Sequence, residues 1–253
     1  KIIISERNTL KRQQSKIIQL LRKILYPKAD KIVFVTKSDC KQFNAPQKST
    51  TIYNPSLSPP FANYTNRQTT IITIEPINRW YNKGLDLLLK AWAKIVIKNP
   101  KWNLEILGNI KNQKFAKEIS NLTTERVKWL DWSDNIAQKL QTKSIFILAS
   151  RYEGCPMSLI EAMSQGCACI VTNCDGGAKE LIDNGINGLI AESENIDDIA
   201  TKLQLLINNE NLRQKLSIAA IEKVKQFDKN AFFANWDNLI EEVTKNENSA
   251  ICR

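Results

Sequence analysis

The chain has 253 residues and a formal net charge of +10, and its hydrophobic content of 43% suffices for a packed core. It contains no histidine, so Ser-His-Asp hydrolysis, Cys-His proteolysis and histidine-ligated metal catalysis are excluded. No phosphate loop of the Gly-x-x-x-x-Gly-Lys type occurs, so a kinase or a nucleoside triphosphatase is not indicated.

The first predicted element is a basic amphipathic helix between Leu10 and Leu25. It is the densest part of residues 1–60, which together carry twelve basic and three acidic residues. The interpretation that we prefer is a domain helix with its apolar stripe in the core and a solvated basic face. The alternative is a helix that lies on an anionic membrane surface. Nucleic-acid binding is not indicated, because a basic helix alone lacks a recognition motif.

After this helix, strands alternate with helices, interrupted by a proline-rich linker at 54–63. Such alternation predicts an α/β fold with a Rossmann-like, doubly wound parallel sheet, in which ligands bind at the carboxyl ends of the strands. We predict strands at 31–36, 70–74, 102–107, 127–130, 144–149 and 168–172. We predict helices at 85–97, 115–122, 135–141 and 156–166, after 176–177, and at 196–207, 210–226 and 231–243.

The most informative stretch is SRYEGCPMSLIEAMSQG at 150–166, where an apolar strand becomes a helix. Glu153 precedes the helix, whereas Glu161 lies five residues past Pro156, about 7.5 Å along the helix axis. Two carboxylates therefore flank a helix N-terminus, whose free N–H groups and positive dipole end suit a phosphate. Because carboxylates suit the hydroxyls of a sugar and a ribose on either side of a phosphate, the stretch has the groups for a nucleotide-sugar.

This stretch resembles the signature of the family 4 retaining glycosyltransferases, in which a Glu-Gly-aromatic-Pro run precedes a second Glu that opens Glu-Ala-Met. The resemblance continues through 174–190 and, upstream, through 83–92 and 102–108. It implies a GT-B fold of two Rossmann-like domains. Residues 1–60 then resemble a remnant of the N-terminal, acceptor-side domain, most of which we expect the chain to lack. Residues 61–253 resemble the C-terminal nucleotide-sugar-binding domain with its terminal helices.

The resemblance also implies the roles of single residues. Glu153, the catalytic candidate, is placed at the hydroxyls of the donor sugar, and Glu161 accepts hydrogen bonds from the ribose. The cations that neutralise the phosphates are expected near the end of the domain's first strand, where Glu75-Pro76 interrupts the expected strand and Asn78 replaces the family's glycine before Arg79. The donor-binding candidates besides Glu161 are Arg79, Lys83, Gly154, Cys155, Pro156, Met157, Ser158 and Leu159.

The function that the resemblance implies is retaining transfer of a sugar from a nucleoside diphosphate to an acceptor hydroxyl, in surface polysaccharide or lipopolysaccharide synthesis. The expected partners are the nucleotide-sugar donor and a glycan or lipid-linked acceptor, with no cofactor, no divalent metal and no nucleic acid. A carboxylate-only glycosidase, an epimerase or phosphorylase of the same fold, and a non-catalytic nucleotide-sugar-binding protein or inactive fragment remain as alternatives.

The six cysteines show no zinc-type spacing, and Cys167 and Cys169 alternate in an apolar strand, which suits buried thiols. We therefore expect a reducing, cytoplasmic location, with peripheral binding to the inner face of the cytoplasmic membrane as an extension of it.

Overall fold

A computed structural model of the chain describes residues 1–10, 16–75, 79–108 and 119–245. Within these residues the chain forms a larger sheet of six strands, a smaller sheet of three strands and a pair of two short strands, all parallel, with helices packed around them. The strands are β1 (Ile3–Glu6), β2 (Lys31–Phe34), β3 (Ser49–Thr51), β4 (Gln68–Ile74), β5 (Asn103–Leu107), β6 (Val127–Leu130), β7 (Lys143–Leu148), β8 (Tyr152–Glu153), β9 (Ala168–Thr172), β10 (Asp175–Gly176) and β11 (Leu189–Ala191). The helices are α1 (Lys16–Leu25), α2 (Lys37–Phe43), α3 (Leu85–Ile95), α4 (Ile136–Gln141), α5 (Met157–Ser164), α6 (Ala178–Leu181), α7 (Ile196–Asn208), α8 (Glu210–Val224) and α9 (Lys229–Lys245).

The larger sheet has six parallel strands in the order β11-β9-β7-β4-β5-β6. From β4 the chain moves outward through β5 to β6, then crosses back to β7 and moves outward through β9 to β11. The strand order therefore reverses between β4 and β7. In a doubly wound sheet this switch point is where a ligand crevice opens, beyond the carboxyl ends of the strands. The predicted α/β fold with a doubly wound parallel sheet is confirmed.

The burial of the central strands explains why they form. All six residues of β7 and all five of β9 are buried, as is typical of parallel strands covered on both faces. Ile145 and Ile147 join the core cluster that contains α3 and α7 side chains, whereas Phe146 and Leu148 join the cluster that contains α5 and α8 side chains. Successive residues of one strand thus anchor helices on opposite faces, because side chains alternate across a strand.

The smaller sheet has the order β1-β2-β3, also parallel, and is covered in part by the last helix of the chain. In α9, Leu239 packs in one cluster with Val33 and Ile52. On the same helix, the carboxylate of Glu242 pairs with Lys31 Nζ at 2.8 Å. The C-terminal helix therefore returns to the part of the chain that comes first in the sequence.

The basic helix differs from the interpretation that we preferred. Residues 11–15 of the predicted helix lie outside the described residues, and α1 covers the remainder. No residue of α1 is buried, and Ile17 and Leu20 are 70% and 57% exposed. The expectation of an apolar stripe in the core is therefore wrong for α1. Of the described residues of the predicted stripe, Leu10, before the helix, is the one that packs against a core cluster, which contains Tyr26 and Phe34.

Three further expectations concern a helix, the cysteines and a membrane span. Of the predicted helix at 115–122, residues 115–118 lie outside the described residues, and only Ile119 and Ser120 are helical in the rest. Cys167 and Cys169 are free and fully buried, as predicted. Among the described helices, none combines the length and the apolar character that crossing a bilayer requires.

Candidate functional site

The two glycine-bearing loops meet beyond the carboxyl ends of β7 and β9. β8 and β10 pair in parallel, with Gly176 opposite Glu153, and the Gly177 N–H donates to the Gly154 carbonyl at 2.7 Å. Gly176 has a φ of +120°, and an added Cβ would lie 1.5 Å from the Glu153 carbonyl oxygen. No residue with a side chain fits there without moving the backbone. The loops at 150–157 and 173–177 therefore form one wall of a site.

Glu153 is buried and is held by two short hydrogen bonds. Its Oε1 accepts from Lys83 Nζ and from Ser150 Oγ, each at 2.6 Å. The side chains of Lys83 and Glu153 are only 9% and 7% exposed. Removing either partner would leave the other as an uncompensated buried charge. The structure thus joins the catalytic candidate to one of the two phosphate-binding candidates.

The other phosphate-binding candidate, Arg79, is exposed at the mouth of a small cleft. Glu153 and Gly154 form one side of this cleft, and Asn8 and Thr9 approach from the beginning of the chain. A larger groove of about 880 Å³ lies between α3 and α7, but it contains none of the predicted site residues. We assign the site to the small cleft, because the predicted residues Arg79, Glu153 and Gly154 line it and Lys83 contacts Glu153.

The first turn of α5 lies next to Glu153. Pro156, in an extended conformation, caps the helix, and Met157 and Ser158 are half-buried in the first turn, where N–H groups have no helical carbonyl to bind. Leu159 is fully buried, and its N–H donates to the Pro156 carbonyl at 3.2 Å, so its side chain serves the core. Burial raises the pKa of the Cys155 thiol to about 11, which keeps the thiol protonated at neutral pH.

Glu161 lies one turn further along α5 and is half-buried. Its neighbours Ala162 and Met163 are fully buried, so Glu161 stands at the border between core and surface. Burial raises the pKa of its carboxyl. Among the described residues no side chain or backbone N–H donates to this carboxylate, whose oxygens are therefore available to hydroxyl groups of a ligand.

The beginning of the chain supports the loop after Glu153. Asn54 Nδ2 donates to the Cys155 carbonyl at 2.7 Å, and Arg7 Nη2 donates to Asn54 Oδ1 at 2.6 Å. A Cβ on Gly154 would lie 2.9 Å from the Arg7 carbonyl oxygen. The loop after Glu153 is therefore in direct contact with residues from the first 60 of the chain.

Glu180 forms a second connection of this kind. Its carboxylate accepts hydrogen bonds from the N–H groups of Lys37 and Ser38, at 2.9 and 2.7 Å, and from the Tyr53 hydroxyl at 2.8 Å. Glu180 thus satisfies free N–H groups at the start of α2, which the helix itself leaves unpaired. One indication of this role was present in the sequence, because Glu180 lies only three residues after Gly177.

Arg151 is a site-supporting residue that the sequence analysis did not single out. Its N–H donates to the Asn82 carbonyl at 2.8 Å, and its guanidinium bonds both carboxylate oxygens of Asp86, at 2.8 and 2.9 Å. These bonds to Asp86 raise the pKa of Arg151. The guanidinium also stacks 4.0 Å from the centroid of the Tyr81 ring. Arg151 therefore fastens the loop that carries Lys83 to the loop that carries Glu153.

Glu75 is the second residue whose importance the sequence did not reveal. It follows β4 at the switch point and is 2% exposed. Thr73 Oγ1 donates to its Oε1 at 2.8 Å, whereas its Oε2 has no hydrogen-bond partner among the described residues. Burial raises the pKa of Glu75 to about 8, and the charge of Lys83 lowers it only in part. The signal in the sequence was a carboxylate directly after the predicted strand at 70–74, which contains three isoleucines.

Comparison with known proteins identifies the family. Residues 64–223 match the sequence profile described as Glycosyl transferases group 1. The chain belongs to this family. The matched residues include β4 to β11 and most of α8, which is the part of the molecule that builds the larger sheet and the site. The recognition made from the sequence motifs is confirmed at this level.

Relatives with assigned activities are similar to parts of the chain. The N,N'-diacetylbacillosaminyl-diphospho-undecaprenol α-1,3-N-acetylgalactosaminyltransferase of Campylobacter jejuni is 32% identical over 146 residues, which is 58% of this chain and 39% of that protein. The poly(glycerol-phosphate) α-glucosyltransferase of Bacillus subtilis is 26% identical over 216 residues, which is 82% of this chain and 32% of that protein. The match thus spans about a third to two fifths of the length of these relatives.

Solved structures of glycosyltransferases superpose on nearly the whole chain. A mutant of TarM from S. aureus, in complex with fondaparinux, α-GlcNAc-glycerol and UDP, gives a TM-score of 0.77 at 23% identity and covers 94% of this chain and 50% of its own. Anabaena HepE in complex with UDP and glucose gives 0.78 at 17% identity and covers 94% and 71%. At these identities the likeness establishes the fold alone, which is that of GT-B enzymes.

Proposed function

We propose that this chain is the donor-binding part of a retaining glycosyltransferase that moves a sugar from a nucleoside diphosphate sugar to an acceptor hydroxyl. The observation that carries the proposal is the buried contact between Lys83 and Glu153 beside the first turn of α5. It brings a cation, a carboxylate and free backbone N–H groups together at the switch point of the sheet. A cation and a helix N-terminus suit a diphosphate, and a carboxylate suits sugar hydroxyls.

The proposed roles follow from the positions of these groups. Lys83 has three N–H donors and gives one to Glu153, so its ammonium group can bridge Glu153 and a phosphate oxygen. Arg79, at the mouth of the cleft, adds a second cation. Together they would stabilise the departing nucleoside diphosphate without a metal ion. Glu153 would hold the donor sugar, and Glu161 would accept hydrogen bonds from the ribose.

The proposal also explains how the anomeric configuration of the sugar would be retained when the acceptor attacks. The leaving phosphate would take the proton from the acceptor hydroxyl on the face from which it departs, so that no enzyme nucleophile is needed. Arg79 and Lys83 would assist by stabilising the phosphate oxygens. Residues 1–60 would belong to the acceptor-side domain.

Nucleotide binding tests the donor site directly. Calorimetric titration with UDP, GDP and ADP, with and without EDTA, should reveal one preferred nucleotide that binds equally well in both conditions. Glu161→Gln should weaken this binding by about 1.5–3 kcal/mol, the scale of a charged hydrogen bond. Glu222→Gln, on the exposed face of α8, is the control and should bind as the parent does. A folded sample that binds none of the three nucleotides would overturn the proposal.

Donor turnover then separates an enzyme from a binding protein. A transferase splits the nucleotide-sugar in an acceptor-dependent way, whereas a non-catalytic binding protein leaves it intact. Glu153→Gln should reduce transfer more than it reduces nucleotide binding. Equal losses in both would remove Glu153 from the catalytic role.

The acceptor that we propose is a glycan or lipid-linked glycan of surface polysaccharide synthesis, handled in the cytoplasm. The C. jejuni relative carries an undecaprenol-linked acceptor in its name, and a relative from Salmonella typhimurium is a lipopolysaccharide 1,6-galactosyltransferase. These names support a surface-glycan acceptor.

We also propose that α1 binds peripherally to an anionic membrane. Ile17, Leu20 and Leu21 present an apolar face that is 47–70% exposed, and the exposed Lys16 and Lys23 add positive charge beside it. An apolar face next to cations complements the surface of an anionic bilayer. Each basic residue near such a surface contributes about 1 kcal/mol, and 1 M salt screens this attraction to about 3 Å.

Sedimentation with phosphatidylglycerol vesicles tests this surface. Binding should occur at low salt, decline at 1 M salt and be absent with phosphatidylcholine. Leu20→Ser with Leu21→Ser should abolish it, whereas Ile97→Ser, at another strongly exposed apolar position, should not. Absence of binding at low salt, or self-association through the same face in its place, would overturn the membrane proposal.

A further inference from the structure

The carboxyl group of Glu75 has no part in the roles assigned above, although it is buried at the edge of the site. It lies where β4 ends, on one side of the switch point, while Glu153 follows β7 on the other side. One of its oxygens is satisfied by Thr73, and the other has no partner among the described residues. A buried polar atom without a partner is costly, and such atoms recur where a protein uses the group.

The charged groups that act on Glu75 are those of the proposed donor site. Among the described residues they are Lys83 and Arg79, which favour its ionised form, and Glu153, which opposes it. The backbone of the neighbouring strand β5 and of the residue after it lies against Glu75: the Glu75 N–H donates to the Leu107 carbonyl at 2.9 Å, and a Cβ on Gly108 would lie 2.0 Å from the Glu75 carbonyl oxygen. Glu75 therefore responds to the same two cations that a donor diphosphate would need.

We propose that Glu75 is a positioning residue for the donor, and that the donor diphosphate binds the form of the site in which Glu75 carries its proton. The proposal rests on the proposed function. An ionised Glu75 would be a second carboxylate competing for Lys83, and its charge would repel the diphosphate. A neutral Glu75 leaves Glu153 as the single anionic partner of Lys83. Both effects have the same sign, so donor binding and protonation of Glu75 favour each other.

The expected pH range follows from the surroundings of Glu75. Its pKa is raised to about 8, mainly by burial. The thiols of Cys155 and Cys174, which lie near Glu153, have pKa values raised to about 11 and do not titrate in the same range. Below pH 8 Glu75 is neutral and the affinity should not depend on its titration. Above pH 8 the dissociation constant should rise, by up to tenfold per pH unit, because a proton must be taken up with the nucleotide.

The test uses whichever of UDP, GDP and ADP binds best to the full chain. Its dissociation constant is measured by calorimetry from pH 6.5 to 9.5, in pairs of buffers with different ionisation heats. For the parent protein we expect no proton uptake linked to Glu75 at pH 6.5 to 7 and net uptake approaching one proton above pH 8. Glu75→Gln, which imitates the neutral form, should bind within about twofold of the parent at pH 7 and should lose both the uptake and the decline in affinity.

Two further variants make the assignment to Glu75 specific. Glu105→Gln, in a buried pair with Lys143 outside the site, should keep the pH dependence of the parent. Thr73→Val removes the hydroxyl that favours the ionised form of Glu75, so the decline in affinity should begin at a higher pH. The Thr73 variant and the proton uptake of the parent decide the matter even where Glu75→Gln does not fold.

The outcomes separate this inference from the proposed function. Nucleotide binding at pH 7 without proton uptake above pH 8, or with the same uptake in Glu75→Gln, overturns the role of Glu75 and leaves the donor site intact. Absence of binding by all three nucleotides at every pH overturns both.

Discussion

Replacing Glu75 by glutamine should change how the stability of the fold depends on pH. The pKa of this carboxyl is raised from 4.5 to about 8 by burial, so the folded state holds the proton more tightly than the unfolded chain does. As pH rises above 4.5 the unfolded chain loses this proton while the folded protein keeps it, and stability falls until the pH passes about 8. At 1.36 kcal/mol per pKa unit, the loss between pH 5 and pH 8 is about 3–4 kcal/mol. The variant has no proton to lose and should not show this loss.

Urea denaturation of the parent and of Glu75→Gln at pH 5, 6, 7 and 8 measures the effect. Other titrating groups are common to both proteins, so they cancel in the difference between the two unfolding free energies. This difference should be small at pH 5 and should grow in favour of the variant to about 3–4 kcal/mol at pH 8. Two curves that stay parallel across this range would refute the reasoning, because they would show that Glu75 titrates alike in the folded and unfolded states.

Two other predictions concern the support of the site. Arg151→Lys keeps the charge but loses the paired hydrogen bonds to Asp86 and the stack on the Tyr81 ring. The binding free energy of the nucleotide, measured by calorimetry, should therefore become less favourable by about 1–3 kcal/mol. Arg213→Lys, which disturbs a stack on Trp102 away from the site, should leave it unchanged, and equal losses would contradict a specific role for Arg151. Gly176→Ala should abolish nucleotide binding, because its Cβ would lie 1.5 Å from the Glu153 carbonyl oxygen. Gly185→Ala, at another left-handed position with open space around it, should cost only about 1–2 kcal/mol of unfolding free energy and should still bind the nucleotide. Normal binding by Gly176→Ala would contradict the close contact between Gly176 and the Glu153 carbonyl.

The larger sheet could be predicted because most of its strands are recognisable from their own residues. β6 and β9 have the predicted bounds, and β7 is displaced by one residue. A run of apolar residues between polar turns predicts a strand that is buried on both faces, and such a run is a local property of the sequence. By contrast, β8 and β10 have two residues each and exist only because Gly176 allows close contact with Glu153. No periodicity can be read from two residues.

The candidate site could be predicted only in part, for a related reason. Motifs indicated Glu153 and Lys83 separately, but they are 70 residues apart and their contact depends on how two loops meet at the switch point. Glu75 looked like an interruption of a strand, since burial and nearby charge are properties of the folded molecule. For α1 the sequence indicated which face of the helix is apolar. Whether another part of the molecule covers that face depends on the tertiary structure, so the exposure of α1 could not be predicted from its own residues.

The electrostatics of the cleft connect these observations. Two cations, Lys83 and Arg79, and two carboxyl groups, Glu153 and Glu75, act on one another at the switch point, so the described charges would cancel if all four were ionised. A diphosphate would then enter a cleft without net positive charge and would have to displace a carboxylate from Lys83. Glu153 Oε1 lies 2.6 Å from Lys83 Nζ, whereas Glu75 has one oxygen without a donor among the described residues and lies in a buried environment that favours its neutral form. If Glu75 is the group that stays neutral, one positive charge remains unbalanced for the ligand, which is the condition that an anionic donor needs to bind in a cleft of low dielectric constant.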